Sequence, residues 1–332
     1  MTASPPEARA TRNRTVELTE TDRDRLRPRL IREFPAAQFV DPPQATFQGD
    51  CLAWATHLPD QFVDLLILDP PYNLDKNFNG QKFSRRSVDA YTQWLDRVIV
   101  TLRPLLKPTA SVYICGDWFS SSSIFAVASA HFTVRNRITW EREKGRGAKA
   151  NWKNASEDIW FCTVSDTYTF NVEAVKLRRR VLAPYRSPDG SPKDWQLTQT
   201  GNFRSTHPSN LWTDLTVPFW SMPENTPHPT QKSEKLLARL ILASSNGGDR
   251  VFDPFLGSGT TSVVAKKLGR RYLGIEQDEE FCLLAEKRLE QAEAGSSIQG
   301  YADGMFWERN AQIKLAVTPQ SLFSSKTFLK AE

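Results

Sequence analysis

The sequence has few cysteines and no long apolar run. Its four cysteines stand at positions 51, 115, 162 and 282, and no two are spaced as C-x-x-C. Neither a zinc cluster nor a disulfide framework is indicated, and we expect no metal. The apolar stretches are far shorter than a membrane-spanning helix needs, and the N-terminal segment lacks the apolar core of a secretory signal. We therefore expect reduced thiols, no membrane partner and a cytoplasmic location.

The excess of positive charge is also small. The formal net charge is +5, which suits a polyanionic partner but is common among proteins that never bind nucleic acid. Charge alone therefore leaves the class of partner open.

What the sequence does contain begins with "LLILDPPYNL" at residues 65–74. Four branched apolar residues that end at an acid and two prolines predict a short buried strand with Asp69 at its carboxyl end. In an open α/β sheet, ligands bind at that edge. Pro70 and Pro71 stiffen the loop and leave carbonyl oxygens free to accept hydrogen bonds, and Tyr72 adds a flat ring. These groups predict a small pocket for an amino group on a planar ring.

A second motif, "VFDPFLGSGTT" at residues 251–261, is typical of a strand, a glycine turn and a helix. Gly257 and Gly259 leave room for the backbone to approach a ligand, and the helix start offers unpaired N–H groups. The turn lacks the third glycine of G-x-G-x-x-G and no P-loop is present, so neither a dinucleotide nor a nucleoside triphosphate is indicated. Glu276 ends the next predicted strand, where an acid commonly binds ribose hydroxyls. The pair predicts a nucleoside-containing cofactor; an ordinary turn beside a surface acid is the plain alternative.

The order of predicted elements indicates an α/β fold in five segments. Residues 1–45 form an arginine-rich arm, extended or with one short helix, whose arginines either contact phosphates or are offset by its own acids. Residues 46–170 form a catalytic half and 226–292 a cofactor-binding half. Between them, 171–225 is a loop-rich insertion, and 293–332 is a tail. Helices are predicted at 88–106, 233–245, 259–269 and 278–294, and strands at 110–117, 134–142, 158–171, 249–255 and 271–277.

Three motifs in this order resemble the β arrangement of the DNA amino-methyltransferases that use S-adenosylmethionine. They are "DPPY" at residues 69–72, "HPTQKS" at 228–233 and "FDPFLGSGTT" at 252–261. The target-amino motif comes first and the cofactor motif last, and the resemblance covers roughly residues 46–292. It implies a Rossmann-like methyltransferase fold with a mixed, mostly parallel sheet and helices on both faces, plus a small loop-rich insertion.

The resemblance also implies roles for individual residues. The catalytic residues would be Asp69, Pro70, Pro71 and Tyr72. Glu276 would bind the ribose of S-adenosylmethionine, Asp50 and Cys51 its adenine ring, and residues 230–232 its methionine end. Ser233 stands where the family has proline and can cap the following helix; for His228 we expect a loop position without a catalytic role. The full set of expected cofactor-binding residues is Asp50, Cys51, Asp69, Thr230, Gln231, Lys232, Phe252, Asp253, Phe255, Gly257, Gly259, Thr260 and Glu276.

The chemistry follows from the groups themselves. An exocyclic amino nitrogen is a poor nucleophile because its lone pair is delocalised into the ring. If Asp69 and the Pro70 carbonyl accept its two N–H bonds, the nitrogen is pushed towards tetrahedral geometry. Tyr72 would stack on the base, which must first be flipped out of the duplex. Neither a metal nor a covalent enzyme intermediate is needed.

The insertion interleaves basic and aromatic residues, which suits phosphate neutralisation and base contacts. By position it resembles a target-recognition region. The alternatives are a solvated basic face and a small aromatic core, which we favour for Trp212 and Trp220. The expected DNA-binding residues are Arg178, Arg179, Arg180, Arg186, Lys193 and Arg204.

Several functions stay open. Adenine N6 leads because an aspartate opens the P-P-Y motif, whereas family members that act on cytosine N4 more often begin with serine. An RNA or protein-amide methyltransferase and a catalytically silent DNA-binding module are further alternatives. The expected partner is double-stranded DNA; a homodimer and a cognate restriction endonuclease are kept as candidate partners.

Overall fold

A mixed sheet runs through the part of the chain that the computed structural model describes, residues 12–78, 81–142, 150–182, 185–198 and 201–309. The strands are β1 (Thr46–Gln48), β2 (Val63–Leu68), β3 (Lys76–Phe78), β4 (Gln81–Phe83), β5 (Leu106–Gly116), β6 (Thr133–Glu141), β7 (Ser156–Thr163), β8 (Leu177–Arg180), β9 (Gln196–Thr198), β10 (Gly201–Thr206), β11 (Leu211–Trp212), β12 (Arg250–Asp253), β13 (Arg271–Glu276), β14 (Tyr301–Ala302) and β15 (Met305–Trp307).

Helices connect these strands. They are α1 (Glu20–Leu26), α2 (Cys51–Ala55), α3 (Val88–Leu102), α4 (Ser121–His131), α5 (Glu234–Ser244), α6 (Thr260–Lys267) and α7 (Glu279–Ala294), with short 3-10 helices at Arg27–Arg29, Arg103–Leu105 and Val172–Val175. The predicted helices correspond to α3, α5, α6 and α7, and the strand, helix and strand predicted over residues 45–72 correspond to β1, α2 and β2. α4 was not predicted.

Among the described residues the main sheet has eight strands in the order β1-β13-β12-β2-β5-β7-β6-β11. The pairings from β1 to β5 are parallel, and β7 runs antiparallel to both of its neighbours. The predicted mixed, mostly parallel sheet is therefore confirmed. The parallel strands bring the loops after β2, β12 and β13 to the same edge.

Helices cover both faces of this sheet, as predicted. Leu65 and Ile67 of β2 pack with α5, α6 and the end of α7, whereas Leu66 and Leu68 pack with α2, α3 and α4. The alternation follows from the period of two in a strand. Because both faces of β2 are covered, its sequence is a continuous apolar run rather than an alternating one.

A second sheet joins the predicted insertion to the predicted tail. Its order is β14-β15-β8-β10-β9, so strands from these two segments pair directly, with Phe306 opposite Leu177. These strands have two to six residues, which is too short for a readable period. β11, also in the insertion, pairs with β6 of the main sheet. The rest of the tail, residues 310–332, lies outside the described residues.

The described part of the arm packs on α7. Thr19 caps α1 with a capping box, and Leu26 is fully buried against Cys282 and Leu283. Arginines of the arm pair with acids of α7 rather than facing solvent alone; these pairs are Arg23–Glu280, Arg25–Glu290, Arg27–Glu279, Arg29–Glu290 and Arg32–Glu279. Residues 1–11 lie outside the described part.

Within the described residues, no helix combines the length and apolar character needed to cross a membrane. All four cysteines are free and buried.

Candidate active site

One cavity lies at the carboxyl edge of the main sheet, between the loops that follow β2, β12 and β13. It joins the two sequence motifs, which stand about 180 residues apart in the chain. The expected catalytic and cofactor residues that line it are Asp50, Cys51, Asp69, Pro70, Pro71, Tyr72, Thr230, Gln231, Lys232, Asp253, Phe255, Gly257, Thr260 and Glu276.

At one end of the cavity, which we call the catalytic end, Asp69 is held by two side chains. The Tyr72 hydroxyl donates to Asp69 Oδ1 at 3.1 Å, and Lys232 Nζ donates to Oδ2 at 2.8 Å. Lys232 Nζ also lies 3.1 Å from the Tyr72 hydroxyl oxygen and 5.3 Å from the centroid of its ring. The carboxylate is therefore fixed in orientation by a donor on each oxygen, and the residue lines the cavity.

Glu157, on β7, completes this group and was not found from the sequence. Its Oε2 lies 3.1 Å from the Tyr72 hydroxyl, whose single proton it shares with Asp69, and 3.4 Å from Lys232 Nζ, while Oε1 pairs with Arg142. Burial disfavours the charge, but Lys232 and Arg142 outweigh it and lower the pKa of Glu157. Asp69 and Glu157 together raise the pKa of Lys232 against its own burial. The negative charges of Asp69 and Glu157 balance the positive charges of Lys232 and Arg142. The four side chains therefore stay charged although the group is largely buried.

The prolines of the motif present their carbonyls differently. The Pro71 carbonyl accepts from the Tyr91 hydroxyl at 3.2 Å. Among the described residues nothing donates to the Pro70 carbonyl, which lies beside Asp69 on the cavity wall. An acceptor pair of Asp69 and Pro70 is thus present at the strand end where the motif predicts it.

At the other end, which we call the glycine end, backbone N–H groups hold the carboxylate of Glu276. Gly257 has φ +54° and donates to Glu276 Oε2 at 2.8 Å, and the Asp278 amide donates to Oε1 at 2.9 Å. Burial raises the pKa of Glu276 in spite of these bonds. A Cβ on Gly257 would lie 3.0 Å from His228 Nε2, so the turn leaves no free space for a side chain. His228 itself lines the cavity and packs on Phe281, with ring centroids 4.4 Å apart.

Asp253 lies at the end of β12, buried between the two ends. Its carboxylate accepts from Thr261 Oγ1 at 2.6 Å and from the Phe255 amide at 3.0 Å. Burial dominates and raises the pKa of Asp253 to about 7. Thr260, the first residue of α6, accepts from Arg288 at 2.9 Å.

Two expected cofactor residues do not line the cavity. Phe252 alternates with Asp253 on β12, so it points into the opposite core, where it packs near Phe62. Gly259 has φ +85° and meets α7: a Cβ there would lie 2.5 Å from the Cβ of Ala285. Both residues therefore support the shape of the site from behind.

Asp50 and Cys51 lie at the start of α2, on the cavity wall. Asp50 caps the helix through Leu52 and Ala53 at 2.9 and 3.1 Å, and its second oxygen accepts from Gln277 at 2.9 Å. Burial raises the pKa of Cys51 to about 12, so this thiol stays protonated.

The "HPTQKS" segment lies just before α5 and lines one wall of the cavity. Gln231 uses its side-chain amide within the segment, accepting from the Thr226 amide at 2.9 Å and donating to the Glu224 carbonyl at 2.6 Å. Lys232 reaches the catalytic end instead. Ser233 caps α5 and accepts from the Leu236 amide at 3.4 Å, the role expected for it.

The expected DNA-binding residues lie away from the cavity, on the small sheet and the loop before it. Arg178 packs over the rings of Phe203 and Trp307, at 5.3 and 4.8 Å from their centroids. Arg180 is exposed, whereas Arg179 is partly buried on the other face of β8. Exposed positions are also held by Arg186, Lys193 and Arg204. Trp212 is buried in the main core and Trp220 is half exposed, so neither lies in the separate small core of the insertion that was expected.

Comparison with known proteins agrees with this arrangement. A family model described as a DNA methylase matches residues 63–287. The DNA adenine methyltransferase YhdJ of Escherichia coli strain K12 is 36% identical over 263 residues, covering 77% of this chain and 85% of that protein. The M1.HpyAVI-SAM complex superposes with a TM-score of 0.50 at 24% identity over 74% of this chain and 98% of that one. The cytosine-N4-specific PvuII DNA methyltransferase superposes with a TM-score of 0.55 at 17% identity over 79% and 93%.

The two structural likenesses concern the fold, and they confirm the expected Rossmann-like methyltransferase architecture. The family match spans both motifs and more than half of the chain. The chain therefore belongs to the family of N6-adenine and N4-cytosine DNA methyltransferases.

Proposed function

We propose that this enzyme transfers the methyl group of S-adenosylmethionine to the N6 amino group of an adenine flipped out of double-stranded DNA. The observation that carries the proposal is the cavity, which joins the acceptor pair Asp69 and Pro70 to the turn at Gly257. Adenine is supported by the aspartate that opens the motif and by the likeness to a protein named as a DNA adenine methyltransferase.

The residues of the glycine end fit S-adenosylmethionine. The tight turn at Gly257 exposes backbone where a cofactor must come close, and Glu276 lies beside it as an acid for ribose hydroxyls. Asp50 and Cys51 form the wall next to Glu276, where a flat adenine ring would lie. Phe255, Thr230 and Thr260 complete the remaining wall.

At the catalytic end, this chain's residues prepare the target amino group. Bound S-adenosylmethionine supplies the electrophilic methyl group. Asp69 and the Pro70 carbonyl accept the two N–H bonds of the amino group, which draws the nitrogen lone pair out of conjugation with the ring. Asp69 is then placed to take the proton that the nitrogen releases.

Lys232 and Tyr72 orient Asp69 for this task. Both now donate to its oxygens, so an arriving amino group must share or displace one of these bonds. Glu157 offers Lys232 a second acceptor at 3.4 Å. The network can therefore release one oxygen of Asp69 without leaving the buried ammonium unpaired.

The experiment that tests the proposal identifies the methylated base. The protein is incubated with isotopically labelled S-adenosylmethionine and unmethylated plasmid DNA, and the DNA is digested to nucleosides and separated. Labelled N6-methyl-2′-deoxyadenosine is the expected product, and sequencing then maps the modified sites. Label in N4-methyl-2′-deoxycytidine would make cytosine the target base, and the absence of label from the DNA would contradict the proposal.

The proposal includes the division of labour predicted for the rest of the chain. The small sheet built from the insertion and from β14–β15 is the candidate target-recognition region. Arg180 and Arg204 are its exposed arginines. A cytoplasmic location is supported by the four free, buried cysteines. A homodimer and a cognate restriction endonuclease stay predictions.

A further inference from the structure

The segment after the P-P-Y motif holds a second loop in place. Asn73 is buried, and its side chain donates to the Arg86 carbonyl at 2.9 Å and accepts from the Arg86 amide at 2.7 Å. Asp75 accepts from the Arg85 amide at 2.8 Å. The backbone of both arginines is thus fixed to the catalytic motif, although their side chains are exposed.

These two guanidiniums differ from those of the arm. In the part of the chain that the structure describes, neither lies within ion-pair distance of a carboxylate. Arg85 lies over the ring of Phe119 at 3.9 Å, and Arg86 lies 5.8 Å from the ring of Trp94, which lines the cavity. Two positive charges are therefore held beside the catalytic motif by aromatic rings and backbone bonds, and no carboxylate of the described residues pairs with them.

An exposed tryptophan adjoins them. Trp118 follows β5, is 64% exposed, and packs edge-on against Phe119 with centroids 5.6 Å apart. Its turn is fixed too, since Asp117 accepts from the Ser120 amide at 2.9 Å and Ser120 Oγ accepts from the Asn73 amide at 3.3 Å. We call Arg85, Arg86, Trp118 and Phe119 the rim surface.

We propose that the rim surface binds duplex DNA at the flipped nucleotide, with Arg85 and Arg86 on the phosphates that flank it and Trp118 on a base exposed by the flip. The inference rests on the proposed function and names the part of the enzyme that holds the substrate beside the cavity. Unneutralised guanidiniums suit phosphates, and a flat exposed ring suits a base that has lost its stacking partner. Asn73 makes the surface rigid with respect to Asp69, so phosphate contacts set the depth of the base in the cavity.

The arginines are tested by the double variant R85Q/R86Q, with R97Q as the matched control. Arg97 is an exposed arginine of α3, likewise without a carboxylate partner among the described residues. Duplex affinity is measured from 50 to 200 mM salt. The double variant should flatten the plot of log affinity against log salt by about 0.9 for each phosphate that is no longer neutralised, so by up to about 1.8. R97Q should keep the wild-type slope, and both variants should bind S-adenosylmethionine normally.

Trp118 is tested by W118A, with F125A on α4 as the control for loss of an exposed aromatic. A duplex carries 2-aminopurine at the mapped target position, where it fluoresces when unstacked. W118A should reduce the fluorescence gain on binding several-fold, whereas F125A should not. The salt slope of W118A should equal that of the wild type, because the substitution leaves every phosphate-binding side chain in place.

The outcomes separate the inference from the proposed function. If the wild type methylates DNA but R85Q/R86Q keeps its affinity and slope, the rim surface does not bind DNA and the proposed function stands. If the protein binds single-stranded RNA more tightly than duplex DNA and R85Q/R86Q loses that binding, the rim surface binds RNA and the proposed duplex partner is contradicted. If the wild type transfers no methyl group to DNA, the proposed function itself fails.

Discussion

Different kinds of group hold the two ends of the cavity in place. At the catalytic end, charged side chains hold one another: Asp69, Lys232 and Glu157 form a network around the Tyr72 hydroxyl. At the glycine end, backbone N–H groups hold the carboxylate of Glu276. The difference suggests a division of tasks, since side-chain charges can change partners during a reaction whereas backbone groups keep a fixed shape. Substitutions at the catalytic end should therefore affect transfer, and those at the glycine end should affect cofactor binding.

The largest effect is expected for D69A. Methyl transfer should fall roughly 10²–10⁴-fold because the target amino group loses its acceptor. The affinity for S-adenosylmethionine, measured by calorimetry, should change little. Near-normal turnover would contradict the mechanism, and a large loss of cofactor affinity would erase the distinction between the two ends.

At the glycine end, G257V should weaken S-adenosylmethionine binding by roughly 10–100-fold. A β-branched residue at φ +54° is strained, and its Cβ would press on the His228 ring at 3.0 Å. G247V is the control, because a Cβ on Gly247 has no neighbour within 4 Å. Calorimetry on both folded variants measures their affinity for S-adenosylmethionine. Normal binding by G257V would mean that the cofactor binds elsewhere.

E157Q tests whether buried Glu157 positions Lys232 and Tyr72 at the catalytic end. The amide keeps the shape of Glu157 but removes the charge that balances Lys232 and Arg142, so kcat should fall about tenfold. Cofactor affinity should be unchanged. The control is D158N, which alters the next residue of β7, on the other face, where it accepts from Thr139 and Ser121. An equal loss of kcat in D158N would mean that any change in this strand has the same effect.

The main sheet and the two motifs could be predicted because their signals are local. Buried parallel strands appear as apolar runs, and the glycine turn and Asp69 mark strand ends within a few residues. α4 was missed because it begins with serines and shows little apolar period. Its Ile124, Val127 and Ala128 are buried on the sheet, so tertiary packing decides its structure.

The rest of the site depends on residues that meet only in the folded chain. Glu157 looks like any polar residue at the start of a strand, and nothing near it in sequence indicates Lys232, 75 residues later. The arm shows the same limit: its arginines pair with acids of α7, about 250 residues away. Composition left phosphate contacts and neutralisation by the arm's own acids both open, and it could not indicate the acids of α7 that these arginines meet in the fold.

A smaller effect is expected from the buried acid between the two ends. Because burial raises the pKa of Asp253 to about 7 from an ordinary 3.8, the folded protein binds this proton more tightly than the unfolded chain does. The contribution to stability is therefore complete below about pH 4 and is lost as the pH rises towards 7, at about 1.4 kcal/mol per pH unit.

D253N should remove that dependence. Its amide can still accept from the Phe255 amide and donate to Thr261, so the shape is kept. Urea unfolding of both proteins at pH 5 and pH 7 measures the effect: the wild type should lose more stability than D253N over this interval. Glu224, whose pKa burial also raises to about 7, contributes equally to both. Parallel losses would mean that Asp253 is ionised throughout.

The smallest effect is expected in the insertion, where the structure divides three consecutive arginines. Arg178 packs over the rings of Phe203 and Trp307, and Arg179 lies on the other face of β8. Arg180 is therefore the one best placed to meet a phosphate. R180A should therefore lower the slope of log affinity against log salt by about 0.9 at most, with unchanged cofactor affinity. R178A should instead destabilise the small sheet, because its guanidinium joins β8 to β10 and β15. If R178A flattened the salt slope as R180A does while the protein stayed equally stable, the stacking would be incidental and the whole run would contact DNA.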